Sequence, residues 1–168
     1  MAASIDISVV VPMLNEEGNV RELVERLHAV LSEHRSQSEE TFEIIMVDDG
    51  STDDTPNILE ELIAEHGEVR CLRLATNFGQ EAAVQAGMLH SSGRWVLQTD
   101  GDLQHPPEEI PKLLTKRDEG YEIVYGRRAE RNDPWHRVIA SKLMVLFMRK
   151  VLGIRLPEDV TTFRVIDG

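Results

Sequence analysis

The chain has 168 residues, of which 41% are hydrophobic and 29% charged, a balance typical of one soluble folded domain. Its net charge of −12 argues against general nucleic-acid binding, and its single cysteine, Cys71, excludes a disulfide framework and a cysteine zinc site. The first residues do not resemble a signal peptide, and no stretch approaches the roughly 18 apolar residues of a membrane span.

Strand-like and helix-like segments alternate along the chain. Short apolar or β-branched runs predict strands at 7–11, 43–47, 69–74, 95–99 and 122–125. Apolar residues at helical spacing predict helices at 19–32, 52–66, 80–91, 108–119 and 135–152, with a polar loop at 36–41. The alternation predicts βαβ units, hence an α/β fold with a Rossmann-like, mainly parallel sheet flanked by helices. Ligands of such sheets bind at the carboxyl ends of the strands.

Polar residues follow the first predicted strand, which we expect Pro12 to end. Asn15 suits the N-cap of the first helix, and Glu16 and Glu17 are favourable near the positive end of that helix. These roles leave the same side chains able to contact a nucleoside. The sequence therefore leaves a structural and a functional interpretation open.

A pair of aspartates, Asp48 and Asp49, lies between the second strand and the second helix. Aspartates in this position can accept hydrogen bonds from a nucleobase imide or a ribose hydroxyl. Turn formation, with Thr52 or Asp53 capping the helix, is the structural alternative. A double aspartate after an apolar strand also occurs in receiver domains of two-component signalling. Such a domain would also need an aspartate at the end of the third strand, and residues 74–77 contain none, which disfavours this alternative.

The third predicted helix follows a loop at 77–79 and carries a face of very small side chains at Ala82, Ala83, Ala86 and Gly87. Small residues allow a helix to approach a sheet closely, so we interpret this face as structural. No Gly-x-Gly-x-x-Gly pattern follows the first strand, which disfavours a dinucleotide-dependent dehydrogenase.

The run at 98–107, QTDGDLQHPP, is the most informative part of the chain. Asp100, Asp102 and Gln104 alternate, so in an extended strand exit they would face the same side. Such an oxygen-only set suits Mg²⁺ or Mn²⁺ with a phosphate-bearing substrate better than zinc. A plain Asp-Gly-Asp turn is the alternative. An EF-hand loop is excluded because His105 and Pro111 occupy its glycine and glutamate positions.

Charge is distributed unevenly. Residues 1–124 contain 9 Lys and Arg against 25 Asp and Glu, whereas residues 125–168 contain 9 against 5. Residues 135–155 combine apolar and basic side chains at helical spacing. A basic amphipathic helix can lie on an anionic membrane surface, the interpretation we favour, or form a core helix with one solvated face.

The motifs VPxxNEE, VDDGSxD, NxGxxxA and TDGDLQHPPE occur in this order. Together they resemble family 2 glycosyltransferases of GT-A fold, and within them the polyprenyl-phosphate glycosyltransferases. The resemblance extends over about residues 7–166. It implies one catalytic domain over 1–168, with a nucleotide-sugar half at about 1–105 and an acceptor half at about 106–168. Because members of the family continue further, it also implies a truncated or minimal catalytic domain.

The resemblance also implies roles for individual residues. The nucleotide-binding set is Pro12, Asn15, Glu16, Asp48, Asp49, Asp100 and Gly101. The metal set is Asp100, Asp102 and Gln104, with Mg²⁺ or Mn²⁺ as cofactor. The catalytic set is Asp102, Arg128 and Asp159, and the acceptor-binding set is Arg137, Ser141 and Arg164. The chain departs from the family pattern at Met13-Leu14, where an aromatic residue is usual, and at Thr161, where glycine is common.

The reaction implied is an inverting transfer of a sugar from a nucleotide sugar, with UDP favoured over GDP, to a polyprenyl phosphate at the cytoplasmic face of a membrane. The metal and arginines would stabilise the leaving diphosphate. A phosphate acceptor needs little help from a base, since its second pKa is about 6. Two alternatives stay open: a glycan hydroxyl acceptor, with Asp159 as base, and a nucleotide-sugar-binding module without turnover.

Overall fold

The structure is a computed structural model and describes residues 5–127 and 160–168. Predictions for Arg128, Arg137, Ser141, Asp159 and the helix at 135–152 lie outside these residues. The chain divides into two compact units, Met1–Tyr125 with Thr162–Gly168, and Gly126–Thr161. In the second unit the Thr161 hydroxyl donates a hydrogen bond to the carbonyl of Gly126 over 2.9 Å. The site described below belongs to the first unit.

A six-stranded sheet flanked by helices confirms the predicted α/β fold. The strands are β1 (Ile5–Met13), β2 (Phe42–Asp48), β3 (Val69–Arg73), β4 (Gly93–Gln98), β5 (Ile123–Arg127) and β6 (Val160–Asp167), in the order β3-β2-β1-β4-β6-β5. Strands β1 to β4 run parallel, and β6 is antiparallel to β4. The helices are α1 (Val20–Ser38), α2 (Thr55–Glu65), α3 (Gln80–Leu89) and α4 (Ile110–Asp118), the last preceded by a 3-10 turn at Pro107–Glu109.

Two of the predicted boundaries are wrong for identifiable reasons, and one strand was missed. Strand β1 continues past Pro12 to Met13. Its pairing with β4 ends at Val10, so the missing proline N–H interrupts no bond there. Helix α1 continues to Ser38 through half of the predicted polar loop, and ends at Glu39, whose left-handed φ of 63° breaks the helix. Strand β6 was not predicted.

The two faces of the sheet carry separate apolar layers. Alternate residues of β1 and β2, such as Val9 and Ile44, pack with Leu27 of α1, Leu59 of α2 and Leu114 of α4. The residues between them form the second layer, in which Val10, Ile45 and Val47 pack with Ala83 of α3. This alternation explains the continuous apolar runs of the central strands, since both faces are covered.

The small face predicted on α3 is packed against the sheet, and Gly87 marks the closest approach. A Cβ atom at Gly87 would lie 2.3 Å from Cγ1 of Val10 and 3.0 Å from Cγ2 of Val47. Both methyl groups belong to stiff β-branched side chains in the core. The interpretation of this face as structural is confirmed at this position.

Gly87→Ala is therefore expected to lower the free energy of unfolding by about 1–2 kcal/mol, because overpacking outweighs the gain in helix propensity. Urea denaturation measures the change. Gly67→Ala is the matched control, since nothing lies within 4 Å of a Cβ at Gly67. If Gly87→Ala were as stable as the wild type, the close packing of α3 would be refuted.

Candidate active site

A cleft of about 360 Å³ lies at the carboxyl ends of the parallel strands. It is lined by Pro12, Met13, Leu14, Glu16, Asp49, Asn77, Gly79, Gln80, Ala83, Asp100, Gly101 and Asp102. Five of the seven residues predicted to bind a nucleotide are in this group. Of the predicted site residues that the structure describes, Asn15, Asp48, Gln104 and Arg164 are outside it.

Asp49 organises the loop on one side of the cleft. Its carboxylate accepts the backbone N–H of Phe78 at Oδ1 and that of Gly79 at Oδ2, each over 2.8 Å. The side chain is only 3% exposed. Gly79 is the N-cap residue of α3, so the carboxylate also fixes the start of that helix. Asp49 therefore lines the cleft and holds part of its wall.

Asp48 is fully buried beneath this wall. Its Oδ1 accepts the N–H of Ser51 over 2.8 Å, and its Oδ2 lies 3.3 Å from Nε of Arg73 in an ion pair. Burial, reinforced by the nearby Asp48 carboxylate, raises the pKa of the Cys71 thiol to about 11. Cys71 is therefore a protonated structural thiol at neutral pH. The nucleotide contact predicted for Asp48 stays a prediction.

The loop after β1 is fastened to the loop after β2. Asn15 accepts the N–H of Thr52 at Oδ1 over 2.8 Å, and its own N–H donates to Oγ of Ser51 over 2.9 Å. The N–H of Glu16 donates to Oγ1 of Thr55 over 2.9 Å. These bonds cross-link two strand exits, so this side of the cleft has a fixed shape.

The same contacts correct two predicted helix caps. Helix α1 begins after Asn19, not Asn15, because the Asn15 side chain is committed to the turn after β2. Helix α2 has Asp54 at its N-cap, rather than Thr52 or Asp53. Asn15 instead occupies the left-handed region with a φ of 55°, a conformation that asparagine tolerates better than most residues.

The extended conformation predicted for the acidic run is wrong. Strand β4 ends at Gln98, and residues 101–105 form turns and bends. Leu103 has a left-handed φ of 58°, and the N–H of Gln104 donates to Oδ1 of Asp102 over 3.1 Å. A turn that bonds to its own aspartate replaces the alternation of an extended strand. Strand geometry therefore does not place the side chains of Asp100, Asp102 and Gln104 on the same side.

Asp100 and Asp102 nevertheless line the same cleft, on either side of Gly101. A Cβ atom at Gly101 would lie 3.2 Å from the carbonyl oxygen of Pro12 and 3.3 Å from Cβ of Met13. Only a residue with little or no side chain allows the acidic turn to lie this close to the end of β1. Glycine here places both carboxylates beside that strand exit.

Four carboxylates line the cleft, those of Glu16, Asp49, Asp100 and Asp102. No basic side chain is among the lining residues that the structure describes. Within residues 5–127 and 160–168, no group of three or more His, Cys, Asp or Glu side chains is arranged to hold a metal by itself. The oxygen-only set fits a hard divalent cation whose remaining ligands come from a bound anion.

Strand β6 brings its own polar residues to this end of the sheet. Nε of Arg164 donates to Oε1 of Gln98 over 3.0 Å across the β4–β6 pair. The ring of His105 stacks on Phe163, with 5.4 Å between centroids and 7° between planes. Arg164 thus has a structural partner on β4, and its predicted contact with an acceptor stays a prediction.

Two residues that contact Asp100 were not identified from the sequence. They are Gln80 and Thr162. Gln80 Nε2 donates to Oδ1 of Asp100 over 2.8 Å, and the Thr162 hydroxyl donates to Oδ2. Gln80 is the first residue of α3, directly after the Asn-x-Gly pattern, which is the signal that indicates proximity to the site. Thr162 was not singled out, although it lies between Thr161 and Arg164, which the family resemblance does single out.

Sequence comparison assigns the family. The sequence model described as "Glycosyl transferase family 2" matches residues 8–166. The chain belongs to glycosyl transferase family 2. The protein named "Undecaprenyl-phosphate 4-deoxy-4-formamido-L-arabinose transferase" of Proteus mirabilis (strain HI4320) is 40% identical over 148 residues, which cover 88% of this chain and 44% of that protein. The chain spans about half the length of the curated relatives it matches.

Solved structures of glycosyltransferases share the fold of this family 2 chain, which confirms the predicted GT-A architecture. The crystal structure of S. aureus TarS 1–349 in complex with UDP-GlcNAc has a TM-score of 0.65 at 20% identity, covering 97% of this chain and 45% of that one. The mannosyltransferase PcManGT from Pyrobaculum calidifontis in complex with GDP-Man and Mn²⁺ has a TM-score of 0.60 at 22% identity, covering 76% and 37%.

Proposed function

We propose that this family 2 chain binds a UDP-sugar together with Mg²⁺ or Mn²⁺ and transfers the sugar, with inversion, to a polyprenyl phosphate. The observation that carries the donor half of the proposal is the acidic cleft at the strand ends. The acceptor half is supported by the relative from Proteus mirabilis, which is 40% identical and is named for undecaprenyl phosphate.

The charge of the cleft supports the need for a cation. A nucleotide diphosphate is itself an anion, and its approach to four carboxylates would be repulsive. A divalent cation held by Asp102 and Asp100 would offset the charge of these two carboxylates, would give the diphosphate a direct cationic partner, and would stabilise charge on the leaving diphosphate. PcManGT, which shares the fold, is in complex with Mn²⁺ in its solved structure, and this agrees with the proposed cation.

The remaining lining residues suit the rest of a nucleotide sugar. Pro12 and Leu14 offer apolar surface beside the strand exit, while Asn77 offers an amide group for hydroxyls. The cross-linked loops after β1 and β2 give this surface a fixed shape, so little ordering is needed when a ligand binds. We assign the nucleoside to the side of Pro12 and Asp49, and the diphosphate to the side of Asp100 and Asp102.

The proposed acceptor would lie at a membrane surface. Among the residues that the structure describes, no helix has the length and apolar character required to cross a membrane. We propose that the basic segment at 135–155 makes the contact with lipid. We also propose the roles that the resemblance implies, catalysis for Arg128 and Asp159 and binding of the acceptor for Arg137 and Ser141.

Isothermal titration with UDP and GDP, each with Mn²⁺, Mg²⁺ or EDTA, tests the donor half. We expect UDP to bind with Mn²⁺ and to bind at least about tenfold more weakly in EDTA, a difference of about 1.4 kcal/mol. Absence of nucleotide binding under every condition would refute the proposal.

Turnover of a UDP-sugar with a short-chain polyprenyl phosphate, compared with glycan acceptors, tests the acceptor half. We expect product only with the polyprenyl phosphate. Transfer to glycans alone would favour a hydroxyl acceptor and a base. Nucleotide binding without any turnover would indicate a binding module in this part of the chain.

A further inference from the structure

The carboxylate of Asp100 is held from two sides by neutral donors. Its Oδ1 accepts a hydrogen bond from Nε2 of Gln80 over 2.8 Å, and its Oδ2 accepts one from the hydroxyl of Thr162. Gln80 belongs to α3, Thr162 belongs to β6, and Asp100 follows β4. Three separate elements therefore meet at one side chain.

Two donors on opposite oxygens fix the rotation of a carboxylate. Turning the Asp100 side chain about either of its torsions would break at least one of the two bonds. Each carboxylate oxygen has a second acceptor direction, so both oxygens can still receive another ligand. The bonds thus orient Asp100 without using up its capacity to accept.

The neutrality of the donors matters in this cleft. A lysine or arginine in place of either donor would cancel part of the negative charge that attracts a cation. Gln80 and Thr162 supply direction and leave the charge of Asp100 and Asp102 unchanged. Asp102 contrasts with Asp100, because it is exposed and accepts a hydrogen bond from within its own turn, through the N–H of Gln104.

Asp49 and Asp100 are also linked, through the start of α3. Asp49 accepts the N–H of Gly79 over 2.8 Å, and the next residue, Gln80, donates to Asp100. Gly79 has a φ of 94°, so the chain turns sharply at this point. The position from which Gln80 reaches Asp100 is therefore set by Asp49.

We propose that Gln80 and Thr162 are positioning residues, which hold Asp100 in the orientation that receives the cation and the diphosphate of the donor. This inference rests on the proposed function. It adds two residues that do not themselves need to touch the reacting atoms, and it gives strand β6 a part in donor binding.

Conservative variants separate positioning from a structural role. Thr162→Val keeps the shape of the side chain and removes the donor, whereas Thr162→Ser keeps the donor. Gln80→Met keeps the length of the side chain and removes its amide. We expect Thr162→Val and Gln80→Met each to weaken Mn²⁺-dependent UDP binding by about tenfold, the lower end of losses seen when an orienting partner of a metal ligand is removed. Thr162→Ser should bind within about twofold of the wild type.

The measurements are isothermal titration of UDP in Mn²⁺ and the thermal midpoint of each variant, with Asp100→Ala as the reference background. In that background Thr162→Val should cause no further loss, because the group it positions is gone. Binding by Thr162→Val equal to that of Thr162→Ser, or an undiminished loss in the Asp100→Ala background, would overturn the inference alone. Failure of the wild type to bind UDP or GDP with any cation would overturn the proposed function and the inference together.

Discussion

Asp102→Asn is expected to remove cation-dependent nucleotide binding while the fold stays intact. Asp102 is exposed and lines the cleft, so its carboxylate is open to a cation. An asparagine can keep the 3.1 Å bond that Oδ1 accepts from the N–H of Gln104, and therefore keeps the turn. What it loses is the negative charge. We expect UDP affinity in Mn²⁺ to fall by about 100-fold, the upper end of losses for a metal-site partner.

Titration with UDP in Mn²⁺ measures this effect, and urea denaturation shows whether the fold is kept. Asp167→Asn is the matched control, because Asp167 is also exposed but pairs with Trp95 near the opposite end of β4. It removes the same charge and should leave nucleotide binding unchanged. An Asp102→Asn protein that bound UDP as tightly as the wild type would contradict the assignment of Asp102 to the cation.

The sequence alone predicts the strands whose hydrophobic pattern is strong. Strands β1 and β2 are buried on both faces and contain nearly continuous apolar runs, which identify them from the sequence alone. The alternation of these strands with amphipathic helices then predicts parallel pairing. Strand β6 escaped prediction because its pattern, VTTFRVID, mixes polar and apolar residues, and its pairing with β4 depends on a distant part of the chain.

The site was predictable as a set of residues but not as a geometry. Strand ends of a parallel sheet must converge, so Pro12, Asp49 and Asp100 could be placed together from order alone. The conformation of the acidic run could not, because the left-handed Leu103 is decided by a local turn rather than by strand periodicity. The hydrogen bonds of Asp100 likewise depend on tertiary contacts with Gln80 and Thr162.

A second polar cluster, formed by Ser8, Glu43 and Arg70, was not predicted from the sequence. Ser8 and Glu43 are buried at the amino-terminal half of the sheet, where the Ser8 hydroxyl donates to Oε1 of Glu43 over 2.6 Å. Arg70 pairs with Oε2 of the same carboxylate over 2.9 Å. Both Ser8 and Glu43 interrupt apolar strands, and only the assembled sheet shows that their polar atoms have partners.

Asp49→Ala is expected to lower the free energy of unfolding by about 3 kcal/mol, because it removes two hydrogen bonds to a buried charged acceptor. The N–H groups of Phe78 and Gly79 would lose their partner. Urea denaturation at a constant slope measures the loss. Asp53→Ala is a suitable comparison, since Asp53 also accepts two backbone N–H groups but is less buried. An equal loss of unfolding free energy in Asp49→Ala and Asp53→Ala would show that burial of the Asp49 carboxylate adds nothing to its two hydrogen bonds.

Asp49→Ala should also weaken UDP binding, and its two effects have one origin. The carboxylate that stabilises the loop at 77–79 also fixes Gly79, the residue before Gln80, and Gln80 orients Asp100. Asp102→Asn should reduce binding without a loss of stability, because Asp102 is exposed and its hydrogen bond from Gln104 stays within one turn. Asp49→Asn, which keeps one acceptor oxygen, should fall between the wild type and Asp49→Ala in both stability and binding. Stability and UDP binding should therefore change together across the Asp49 variants. If they changed independently, the proposal that Asp49 supports the ligand site through Gly79 and Gln80 would be refuted.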